Sequence, residues 1–173
     1  SYAHPANSGR LDLPWEVREL YKNPKSGKAL TKCINEVFGK DANRLPYQQL
    51  HNAPRVFTYM TGAELAARRG IKGQDRGQTD PKDLLVHPPN GAVYIAKDAT
   101  TIPTEIPLSA TQIIQMTYVH ELGVKLAFQL TDGKSDEDWG DPNLKSLKNP
   151  SVGVDHDTGN KLEYCFYREM QKP

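Results

Sequence analysis

The chain has 173 residues, 37% of them hydrophobic and 25% charged, which fits one domain large enough to bury a core. Its 22 Lys and Arg nearly balance 21 Asp and Glu, so net charge gives no argument for a nucleic-acid partner or a membrane surface. No apolar run approaches the ~18 residues needed to span a bilayer. No signal peptide is visible, and the abrupt start at Ser1 suggests a mature product or a domain excised from a longer polypeptide.

Residues 1–14 read as an irregular arm, with Pro5, Gly9 and Pro14 and no periodicity. A short helix is predicted from Trp15 to Tyr21 and a second from Gly27 to Phe38, where Leu30, Cys33, Ile34 and Phe38 form one apolar stripe and Gly39 a stop. Asp41 to Pro54 reads as loop, with a turn around Tyr47 to Leu50. Thr61 caps a compact helix that Gly70 ends. Residues 70–90, rich in Gly, Asp, Pro and Lys, read as a long mobile loop. Ala92 to Ala96 reads as a strand after the Asn90-Gly91 turn signal. Ser109 and Gln112 make a capping box for a helix from about Ala110 to about Leu130. Residues 131–160 are acidic and without periodicity, and Leu162 to Met170 is a last short helix or strand. The expected fold is a single α+β domain over residues 1–173, several helices packed on a small sheet with the 110–130 helix central.

Two cysteines, Cys33 and Cys165, stand near opposite ends of the chain. They are either two buried free thiols or one disulfide, which would stabilise by roughly 4–5 kcal/mol in the chain-entropy model. No Cys-x-x-Cys pair points to a metal.

The chemistry-bearing feature is His120-Glu121-Leu122-Gly123-Val124 within the long helix. His-Glu is the first half of His-Glu-x-x-His, in which two histidines bind zinc and the glutamate takes a proton from metal-bound water. Val124 stands where the second histidine belongs and cannot ligate. Asp155, His156 and Asp157 are the best remaining supply of ligands, and Asp132, Asp136, Asp138 and Asp141 form a second acidic group. A structural histidine, with Glu121 solvated or paired to Lys125 at i+4, is the plain alternative.

The order strand, capped helix, His-Glu, Gly-rich descent resembles the zincin metallopeptidases over residues 91–133, and more weakly over Gly153 to Gly159. In that family an edge strand, here Val93 to Ala96, lies along the substrate. The resemblance implies His120 as first ligand and Glu121 as general base, with zinc as cofactor and a protein or peptide as substrate. The layout also resembles toxin-like zincin domains at the C-termini of large secreted bacterial proteins. That likeness rests on Ala29 to Cys33, Gly91 to Ala96, and Asp157-Thr158-Gly159 leading to Cys165. It implies delivery outside the producing cell, a Cys33–Cys165 disulfide, an effector or toxin role and a cognate inhibitor or immunity protein.

Other features carry less. His4, His51 and His87 are isolated. Arg68, Arg69, Lys72 and Arg76 form a small basic patch, with too few aromatics for single-stranded nucleic acid. Ser26-Gly27-Lys28 lacks the rest of a phosphate loop. The sequence thus predicts a secreted zincin-like metallohydrolase with a variant site: His120, Asp155, His156 and Asp157 toward the metal, Glu121 as base. The alternatives are a non-catalytic binding domain on the same scaffold, or a peptidoglycan-cleaving hydrolase that pairs Glu121 with an aspartate.

Overall fold

The computed structural model describes residues 13–45, 56–79, 93–104, 106–136, 139 and 157–173. Most of the N-terminal arm, the 47–50 turn, His4, His51, His87, the Asn90-Gly91 turn, Asp138, Asp141, Asp155 and His156 lie outside these residues. Among the described residues the chain is α+β, with five α-helices and one three-stranded mixed sheet. No helix among them is long and apolar enough to cross a membrane.

Helix α1 (Trp15–Lys22) buries Val17 and Leu20. Helix α2 (Pro24–Phe38) begins three residues before the expected Gly27, because Pro24 suits the first helical turn and Asn23 accepts a bond from the Lys25 N–H at 2.9 Å. Its stripe of Leu30, Cys33, Ile34 and Phe38 is buried as predicted, with Ala29 and Val37 beside it. Gly39 closes the helix at φ 57°, and a 3-10 turn (Gly39–Arg44) replaces the start of the expected loop.

Strand β1 (Val56–Phe57), helix α3 (Gly62–Arg68), strand β2 (Gly77–Thr79) and strand β3 (Val93–Ile95) follow. Thr61 and Glu64 form a full capping box on α3. Two expectations are corrected here. The 70–90 stretch contains β2. The strand predicted at 92–96 is the centre of the sheet, not its edge: β3 lies parallel to β1 and antiparallel to β2, with Thr79 opposite Val93. All three β3 residues are buried, which is why an alternating pattern was absent.

Helix α4 (Ala110–Leu130) starts on the predicted Ser109–Gln112 box. It buries Met116–Val119 and Glu121–Ala127, hence nearly every side. The sheet and α1 cover parts of it and α5 (Thr158–Gln171) another. Helix α5 begins four residues before the expected Leu162, because the Asp157 carboxylate accepts from the Asn160 N–H at 3.1 Å. Cys33 and Cys165 are joined, with Cα atoms 5.7 Å apart, so a disulfide fastens α2 to α5.

Glycines set how closely α4 meets its neighbours. A methyl group on Gly159 would stand 2.7 Å from the His120 carbonyl and 2.8 Å from Val124 Cγ2. One on Gly123 would stand 3.0 Å from Gly159 Cα. On the sheet side, a methyl at Gly77 would stand 2.7 Å from Thr117 Cγ2 and 2.9 Å from Glu121 Cγ. Gly77→Ala must therefore push β2 off α4, with an expected loss of about 1–3 kcal/mol in urea unfolding. A neutral Gly77→Ala would show that the sheet can retreat freely from Glu121.

Candidate functional site

His120 and Glu121 leave α4 toward different neighbours. His120 Nδ1 lies 3.1 Å from Glu163 Oε1, a carboxylate presented by α5. Its other ring nitrogen, Nε2, stands 4.0 Å from Glu121 Oε2, and the imidazole is a quarter exposed, at 25%. Glu121 is the more deeply buried, its side chain 9% exposed. Thr79 on β2 donates its hydroxyl to the Glu121 carboxylate at 3.0 Å, and the same hydroxyl lies 3.1 Å from the Glu121 carbonyl. The sheet thus steers one carboxylate oxygen and leaves the other facing the imidazole.

Asp157, the α5 cap, and Asp136, whose carbonyl accepts the Thr158 N–H at 3.1 Å, add negative charge nearby. Burial pulls the His120 pKa down. The bond to Glu163 and the charges of Glu121, Glu163 and Asp157 outweigh it, raising the pKa to about 10. For Glu121 burial is the main effect and raises the pKa to about 7. His120 and Thr79 oppose that rise, while Asp157 and Glu163 add to it. Asp136 is raised by burial and then by Asp157. One imidazole therefore sits among several carboxylates that repel one another.

The predicted metal residues are only partly brought together. His120, Glu121 and Asp157 share this region; Asp155 and His156 lie outside the described residues. Among the described residues no three His, Cys, Asp or Glu side chains form a group that could hold a metal ion. Val124, at the place of a second ligand, packs on α5 at Gly159. The Asp157 Oδ1 atom is engaged in capping. These residues set one imidazole among carboxylates, and they do not complete the three-ligand zinc arrangement by themselves.

Glu163 and Thr79 were not read from the sequence. Asp157-Thr158-Gly159-Asn160 carries a capping signal that would have started α5 at Thr158 and placed Glu163 one turn beyond Gly159. Thr79 had no such signal, since its role depends on the pairing of β2. The suggested Glu121–Lys125 pair is not formed among the described residues. Lys125 is fully buried, its Nζ has no hydrogen-bond partner there, and burial lowers its pKa to about 7. Three residues of the basic patch have partners: Arg69 grips Asp75 with two bonds of 2.8 Å, Arg68 lies 4.7 Å from the centre of the Tyr94 ring, and Arg76 donates to the Pro103 carbonyl at 2.7 Å, while Lys72 is exposed. Comparison of the chain with known protein families, curated proteins and solved structures finds no match.

Two pH effects follow. The His120 pKa lies above its unfolded value of about 6.5, so its contribution to stability is complete below that pH and is lost as pH rises toward about 10. Glu163→Gln should lower the His120 pKa by about one unit or more in a ring NMR titration; an unchanged titration would remove Glu163 as the group that governs the imidazole. Lys125 has the opposite sign. The unfolded chain binds its proton more tightly, so this group adds stability as pH rises from about 7 to its ordinary 10.5. Lys125→Met should stabilise by a few kcal/mol at pH 6, with the gain shrinking by pH 10. Equal gains at both pH values would show that the amine carries no desolvation penalty.

Proposed function

We propose that the chain is a variant zincin-like hydrolase that acts on peptide bonds, with an effector or toxin role outside the producing cell. The observation that carries this reading is the His120 imidazole. A carboxylate from a neighbouring helix holds Nδ1 at 3.1 Å, while Nε2 faces Glu121. A metal-bearing histidine needs such a partner on its second nitrogen to fix its tautomer and ring orientation. The surplus of carboxylates favours positive charge here, which the imidazole proton supplies until a metal ion displaces it from Nε2. His120 and Asp157, with Asp155 or His156 from the segment before α5, are the residues that would hold that ion. A bound divalent cation would supply Lewis acidity and a more acidic water.

The protein's own part is proton handling. Glu121 has a pKa of about 7, so near neutrality its carboxylate can accept a proton and its acid form can return one. Thr79 fixes its orientation and Gly77 leaves room for its side chain. The exposed side of the imidazole gives access from solvent.

The Val124–Gly159 contact favours a second reading, a binding domain that keeps the scaffold without turnover. Metal analysis and one variant separate the two. A hydrolase should bind about one equivalent of a divalent metal, lose it in His120→Ala, and lose at least about 100-fold in peptide cleavage in Glu121→Gln with its fold intact. No metal uptake on titration with zinc or manganese, together with an indifferent Glu121→Gln, would leave the binding domain.

A further inference from the structure

We propose that the Cys33–Cys165 disulfide is a redox latch on this site: it keeps α5 seated, and α5 supplies Glu163 to His120. Its bearing on activity rests on the hydrolase reading above; its effect on α5 does not.

Helix α5 packs on two helices, and its Thr158 and Lys161 also bond the Asp136 and Trp139 carbonyls. Against α4 it makes the Gly123–Gly159 crossing and the Glu163–His120 bond. Against α2 it buries Cys165 and the Glu169 carboxylate, and its polar links there run to exposed partners. Arg168 meets Glu36 at 2.8 Å with side chains 36% and 38% exposed, Lys32 meets Glu169, and Lys25 reaches the Lys172 carbonyl at 2.7 Å. The exposed Arg168–Glu36 pair holds little. The disulfide spans 132 residues of sequence, so it removes a large freedom that would otherwise oppose the α2–α5 contact. Glu163 lies two positions before Cys165, so the clamp and the site share one rigid helix.

Both cysteines are buried, and a surface ion pair lies over Cys165. Arg168 Nη2 and Glu36 Oε2 each lie 3.4 Å from Cys165 Sγ. Swinging this partly exposed pair aside would uncover the sulfur. Reduction by a cellular dithiol breaks the S–S bond, gives each sulfur one electron and one proton, and leaves the reductant as its own disulfide. In a reducing cytoplasm α5 would loosen and the imidazole would lose its Glu163 partner; export to an oxidising space would assemble the site.

Hydrogen exchange on the whole chain, oxidised and after dithiothreitol, tests this. Reduction should lower protection of amides 158–171 at least about tenfold relative to β3, with circular dichroism retained, and reoxidation should restore it. In nitrogen NMR of the His120 ring, the Nδ1 signal should shift on reduction. Equal protection and an unmoved Nδ1 signal would overturn the latch. So would loss of protection in β3 together with α5, or wholesale unfolding in the reduced protein or in a Cys33→Ala/Cys165→Ala variant, because the bond would then be a staple for the entire fold. None of these readouts needs metal or turnover, so an inactive protein can still carry the latch.

Discussion

The rest of the structure depends on how closely α4 and α5 approach. Gly123 and Gly159 let the two helices meet with almost no side chain between them. That distance brings Glu163 onto the His120 ring, seats Asp157 near it, and presses Val124 against the α5 backbone. A wider crossing, as bulkier residues would impose, would part the imidazole from its carboxylate. The same close approach recurs on the other flank of α4, where Gly77 admits Glu121 beneath the sheet. The site is thus held between two glycine contacts on opposite sides of one buried helix.

Burial and charge oppose each other along α4. Glu121 and Lys125 lie one turn apart, yet they respond to different surroundings. The carboxyl has a hydroxyl donor and an imidazole beside it, while the amine has no hydrogen-bond partner among the described residues. Burial weakens the ionised form of both, raising the acid and lowering the base toward neutrality. Two groups that would ordinarily be fully charged are therefore both close to half-protonated near pH 7. Such tuning is common at functional sites and also occurs in structural networks.

The long helix and its cap were legible in the sequence because Ser109 and Gln112 sit at capping-box spacing ahead of a sustained apolar run. The α2 stripe was legible for the same reason of periodicity. The sheet was harder. Its strands have two or three residues each, too short for alternation to register, and β2 is hidden in a Gly- and Asp-rich stretch. The strand expected at the edge is the central one, since pairing order depends on contacts far apart in sequence. At the site, His120 and Glu121 were visible as a motif. Glu163 and Thr79 were not, because each acquires its role only when a distant element folds against α4. The cysteine pair was left open by the residues alone and is a disulfide in the structure.

The Val124–Gly159 contact also constrains which sequences are reachable from this one. A larger ligand at 124 needs α5 to move away, and a side chain at 159 meets the His120 carbonyl before it can point anywhere useful. Neither change is tolerated until the other helix has adjusted. A histidine at position 124 would therefore disturb the seating of α5, and with it the Glu163 contact. The pairing acts as an interlock: Val124 and Gly159 each fix what the other position can hold.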